Sequence, residues 1–237
     1  MSGVGDRMKW FENAPKTRLT PRVPVVGRVD GKNFHTFLRD LDKPWDARYH
    51  SCLWDAALYL CENIQGSRIA YAYSDEITLV LRDDLTPHAE PWFDYELQKI
   101  CSVAASMATA AFLAAFLRRF PERLNALSRG DGLPAFDARF WNLPIFEIPN
   151  LLTWRQQDAT RASLHALARS EFSHDELVGL DAPRLHDKLM LERGVNWNDR
   201  PTAQKRGACV IYKDGWLVDD APPIFTRDPD YLATALG

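Results

Sequence analysis

Residues 100–117, "ICSVAASMATAAFLAAFL", carry no charge, and any fold of this chain has to cover them. The run is long enough to span a membrane. It is mostly Ala, Ser and Thr, however, with few strongly apolar side chains, and Ala at that density favours a helix in water that packs closely on a sheet. The reading is therefore a buried helix from about Trp92 to Phe120 in a protein outside the membrane. With 237 residues, 46% hydrophobic and 26% charged, the chain has an ordinary globular balance and ample length for a core. Its start lacks the apolar stretch of a signal peptide. Cys52, Cys61, Cys101 and Cys209 lie far apart without a CxxC, which points to a reducing, cytoplasmic setting. A net charge of −3 excludes a generally basic nucleic-acid coat but not a local basic patch.

The flanking segments supply the expected sheet. Pro24–Asp30 reads as a buried strand, with Gly31 free to turn the chain. Asp46–Gln65 spaces Tyr49, Leu53, Ala56, Leu60 and Ile64 as a helix, with Gly66 as its stop. Ile69–Tyr73 and Ile77–Leu81 read as two strands around Ser74, Asp75 and Glu76, and a further strand is expected near Ala138–Ile148. Strand, helix, strand, strand, helix is the order that begins a split βαβ unit of the ferredoxin-like kind. Residues 151–237 read differently, as helices followed by a closing hairpin turning at Lys213-Asp214-Gly215. The tail after Asp220 is expected to be a surface extension. This divides the chain into residues 1–150 and a C-terminal helical and hairpin region, 151–237, packed as one unit.

Two strands carry carboxylates where apolar residues are expected: "VPVVGRVDGKNFHTF" around Asp30 and "YAYSDEITLV" around Asp75 and Glu76. Magnesium takes oxygen ligands, and two-metal phosphoryl transfer needs carboxylates from separate segments. Asp30 and Asp75 meet that need if their strands are neighbours, and the amides of Lys32–His35 are placed to hold phosphate oxygens. Asp and Gly are also common turn residues, and on spacing alone a turn and a solvated hairpin tip explain them as well.

"RVDGKNFHTF" followed one helix later by "YSDEITLVL" resembles the paired signature of the tRNA-His guanylyltransferase family. "DKPWDAR", "QKICSVAAS", "FDAR", "WRQQDA", "NWN" and "KRG" follow in the family's order, so the resemblance covers about Pro24 to Lys213. It implies an α+β fold: a ferredoxin-like antiparallel sheet of the polymerase-palm and nucleotide-cyclase type, covered by helices. It implies nucleotide addition to the 5′ end of tRNA, in the 3′-to-5′ direction, with ATP, GTP or other nucleoside triphosphates as substrates. By the same resemblance Asp30, Asp75 and the Gly31 carbonyl hold two Mg2+ ions and Glu76 supports them. Lys32, Asn33, Phe34, His35 and Ser74 line the triphosphate. Lys43 and Asp46 fall at nucleotide contacts, Lys99 holds a second triphosphate, and a homo-oligomer, dimer or tetramer, is implied.

The chain also departs from eukaryotic relatives. Their "HINNLYN" is here Thr160-Arg161-Ala162-Ser163-Leu164-His165-Ala166, which resembles the bacterial and archaeal members that favour templated repair of truncated tRNA. Glu96 stands near a position where relatives carry Arg. His165, His174 and His186 match no zinc spacing. Trp154, Trp197 and Trp216 read as packing aromatics, Arg118, Arg119 and Arg123 as helix-end cations, and Lys205-Arg206 as a phosphate-contact candidate. A nucleotide cyclase or oligonucleotide synthase, or a silent tRNA-binding protein, are the alternative readings.

Overall fold

Six strands form one sheet in the computed structural model, which describes residues 3–128 and 132–237. They are β1 (Val25–Lys32), β2 (Ser67–Tyr73), β3 (Glu76–Leu81), β4 (Ala135–Asn142), β5 (Ala208–Tyr212) and β6 (Trp216–Asp219). The order is β4-β1-β3-β2-β5-β6, antiparallel throughout, so strands from both halves of the chain share the sheet. The helices are α1 (Val4–Asn13), α2 (Phe34–Phe37), α3 (Ala47–Asn63), α4 (Leu97–Arg119), α5 (Leu124–Ser128), α6 (Ile148–Glu171), α7 (His174–Leu177), α8 (Ala182–Arg193), α9 (Thr202–Arg206) and α10 (Pro229–Leu236).

Side chains alternate across the sheet with the period of two that strands impose. Val25, Val29, Ala70, Ala72, Ile77, Leu79 and Leu81 pack with α3 and α4 in the larger core. Val26, Ile69, Tyr71, Val80, Cys209 and Ile211 point the other way, towards α6 and α10. The Ala-rich segment is α4, long and apolar enough by composition to cross a membrane. Its Ile100, Ala104, Ala108, Phe112, Ala115 and Phe116 are buried, and small residues at this helical spacing bring α3 and β4 close. Phe112 touches Phe34 (5.2 Å between centroids) and Phe136 (5.5 Å), so the helix is nailed to the sheet by aromatic rings.

Four local expectations change. The long helix begins at Leu97, because Trp92–Tyr95 forms a separate turn with left-handed backbone at Phe93 and Asp94. The fourth strand starts at Ala135, three residues before the expected one, and Ile145–Glu147 already turns into α6. Gly31 does not turn the chain; it stays in β1, paired with Phe136. What it supplies is room, since a Cβ there would run into the Phe34 ring. The tail after Asp220 is not a surface extension either: Phe225, Leu232 and Leu236 are buried against the second face of the sheet. Gln156 of α6 holds it, donating to Pro223 O (2.8 Å) and accepting from Phe225 N (3.0 Å).

Candidate active site

The end of β1 and the turn between β2 and β3 meet at one edge of the second face. Asp30 pairs in register with Glu76, and Gly31 N donates to Asp75 O at 2.9 Å. Asp30 and Asp75, from separate segments, therefore border the same open cleft of about 300 Å³, with Glu76, Arg28 and Arg155. The turn is tight. Ser74 takes a left-handed backbone (φ 57°), its carbonyl accepts from Tyr49 Oη at 2.7 Å, and its hydroxyl donates to Asp75 Oδ1 at 3.0 Å.

The cleft is rich in opposed charges. Arg28, two residues before Asp30 on the same face, reaches Asp30 Oδ2 (3.0 Å) and Glu76 Oε2 (2.6 Å). Arg155 of α6 places its buried Nε 3.1 Å from Glu76 Oε1, without the angle of a hydrogen bond. Thr78 Oγ1 donates to the same Glu76 oxygen at 3.3 Å. Glu76 is thus occupied on both oxygens, which suits a residue that positions Arg28 and Arg155. Burial pushes its carboxyl above the usual range, and the two arginines oppose that rise. Burial also pushes the Asp75 carboxyl up; Ser74 opposes it, and the negative charge of Asp30 adds to it. A cation between Asp30 and Asp75 would remove that repulsion, so the two carboxylates fit the oxygen donors magnesium takes. Among the described residues no group of three or more His, Cys, Asp and Glu side chains gathers as a metal site.

The remaining sequence candidates divide. Lys32 and Asn33 open onto a neighbouring cavity of about 380 Å³ beside α2 and α5. Asn33 has a left-handed backbone (φ 56°) and His35 is exposed. The Phe34 side chain is buried among Phe37, Phe112 and Phe136, so only its backbone is near the surface. Asp46 is buried as the N-cap of α3, accepting from Arg48 N and Tyr49 N. Lys43 Nζ donates to Leu38 O at 2.8 Å. Lys99 lies outside the cleft on the first turn of α4, its ammonium 4.3 Å from the Phe93 ring centre. Arg28 and Arg155 escaped the sequence reading. Arg28 had a signal in its two-residue spacing from Asp30; Arg155, inside "WRQQDA", had none that fixed its partner.

The family model described as tRNAHis guanylyltransferase matches residues 5–144, more than half of the chain. The chain belongs to this family. Family membership makes it a nucleotidyltransferase. The tRNA(His) guanylyltransferase of Debaryomyces hansenii is 28% identical over 217 residues, 86% of this chain and 78% of that protein. A bacterial tRNA(His) guanylyltransferase-like protein solved in complex with ATP superposes with a TM-score of 0.92 at 39% identity, covering 99% of both chains. One solved in complex with GTP gives 0.83 at 35% identity, again over 99% of both.

Proposed function

We propose that this nucleotidyltransferase adds nucleotides to the 5′ end of tRNA in the 3′-to-5′ direction, using ATP, GTP or other nucleoside triphosphates and magnesium, on a palm-type sheet. The observation that carries the reading is the convergence of Asp30 and Asp75 on one cleft. With the Gly31 carbonyl they would hold the magnesium ions, whose positive charge supplies electrostatic stabilisation for phosphoryl transfer. Asp30 and Asp75 orient that charge at the strand ends. Glu76 fixes Arg28 and Arg155, which are placed to attract phosphate oxygens. Lys32, Asn33 and His35 border the triphosphate, whereas Asp46 keeps the entry to α3 in shape. Lys43 and Lys99 remain candidates for outer nucleotide contacts. The chain's scattered cysteines suit a cytoplasmic setting, and the sequence resemblance implies a homo-oligomer.

Base choice follows from what one stretch of α6 lacks. The stretch Thr160–Ala166 presents Ala162 and Ala166 to the cleft, beside Ala159, and none of these reads a base by hydrogen bonding. Pairing with the opposite strand of the acceptor stem is then the source of selectivity, because a wrong base leaves buried partners unpaired. Incubation of the protein with labelled triphosphates and a tRNA lacking its first 5′ nucleotide tests this directly. The expected product is an RNA extended by whichever base complements the template, lost on the order of 10³-fold in Asp75→Ala, or about 4 kcal/mol of barrier. Guanylate added regardless of the opposing base would end the templated reading. A cyclic or short product without RNA would point to a nucleotide cyclase or oligonucleotide synthase.

A further inference from the structure

Helix α6 has a second working side. Ala159, Ala162 and Ala166 face the carboxylate cleft, whereas Gln157, Thr160 and Arg161 border a separate open groove of about 590 Å³. Arg206 at the end of α9 and Arg227 in the tail complete its rim, and no Asp or Glu lines it. Arg206 and Arg227 form no ion pair among the described residues. Arg161 pairs with Asp158 at 3.1 Å, but both side chains are more than half exposed, so this contact is weak and readily exchanged. Asp228, next to Arg227, is exposed but caps α10, accepting from Tyr231 N, and does not line the groove. In a chain of net charge −3, three guanidinium groups give this groove a local positive charge.

The donors that line the groove suit phosphates better than the edge of a base. Its aromatic residue, Trp197, is already engaged: Nε1 donates to Ser163 Oγ (3.1 Å), His186 meets the ring edge-on and Lys205 Nζ sits 5.6 Å from its centre. The indole nitrogen is thus spent and one ring contact is already made, so the groove's unspent donors are polar rather than aromatic. Lys205 donates to Asn198 O at 2.6 Å, so of the Lys205-Arg206 pair it is Arg206 that faces the ligand. Gln156 spends both amide atoms on the tail. What remains are guanidinium, hydroxyl and amide donors, the groups that contact sugar-phosphate backbone without sequence preference.

We propose that the groove between α6, the end of α9 and the Ile224–Arg227 segment binds the phosphodiester backbone of the RNA substrate, away from the reacting end. This rests on RNA being the substrate, and the test separates the two. Binding of tRNA to the intact protein is measured by fluorescence anisotropy across a salt series, for the parent, the double variant Arg206→Gln/Arg227→Gln, and Arg206→Lys/Arg227→Lys. The glutamine variant should bind about tenfold or more weakly, with the slope of log affinity against log salt smaller by about two, one per lost phosphate contact. The lysine variant keeps most of both, and ATP affinity and melting temperature stay at the parent's values. Unchanged tRNA affinity and slope in the glutamine variant would overturn the proposal. So would a loss of ATP affinity with tRNA binding intact, which would make the groove a free-triphosphate site. A parent that binds no tRNA removes both readings, whereas one that binds tRNA but does not extend it removes only the catalytic one.

Discussion

The two faces of the sheet are made by the same strands and obey opposite rules. On the α3/α4 face, Val25, Val29, Ile77 and Leu79 meet an alanine-rich helix, and the layer is dry and closely packed. On the α6/α10 face, the same strands present Arg28, Asp30 and Glu76 one or two positions away, and the core there gives way to a charged cleft. Alternation lets one strand do both jobs, because successive side chains never share a face. The stability of the dry side is what allows buried charge to persist on the wet side.

Three substitutions probe that division. Phe112→Ala, at the centre of the aromatic cluster joining α4 to β4 and α2, should cost about 4 kcal/mol by the cavity it leaves. A denaturant titration reads it, and a loss below about 1 kcal/mol would mean the dry face does not carry the fold. Glu76→Ala should cost about 3 kcal/mol, because it leaves Arg155 without its carboxylate and Arg28 with Asp30 alone. If the same titration shows no loss, the charges of the wet face are solvated and the contrast between the faces is weaker than drawn.

Asp75→Asn has the smallest effect and the opposite sign. The folded Asp75 carboxyl sits above its ordinary range through burial, so it ionises later than in the unfolded chain. Below that ordinary range both states hold the proton and the variant matches the parent. As pH rises the unfolded chain ionises first, and the parent's folded state loses ground until its own raised value is passed. In a chelator, then, the variant should melt higher than the parent at neutral pH, with the gap closing on acidification. A gap that is absent or reversed would show that Asp75 carries no burial cost.

Much of this was legible in residues. The two carboxylate strands, the helix after Asp46, the alanine-rich helix and the hairpin at Lys213-Asp214-Gly215 each carry a local pattern that packing only confirms. What escaped depends on partners distant in sequence. Phe225, Leu232 and Leu236 are scattered among Pro and Asp, with little local period, and are buried only because the second face of the sheet accepts them. Arg155 meets Glu76 across 79 positions of chain, a pairing no spacing encodes. Asp46 carries a readable capping signal at the start of a helix, and it accepts from Arg48 N and Tyr49 N there.

The Tyr49 hydroxyl carries a consequence for precision. A hairpin tip is ordinarily the part of a sheet that wanders most, on nanosecond to microsecond scales. Here the tip that bears Asp75 is moored by Tyr49, a residue buried in the dry core on α3, through one bond of 2.7 Å to Ser74 O, and by Gly31 N to Asp75 O on the neighbouring strand. The carboxylate therefore inherits the stiffness of the core beneath it. An ion or phosphate arriving at the cleft meets a ligand already in place, and the entropy of fixing that turn has been settled when the chain folds rather than at each turnover.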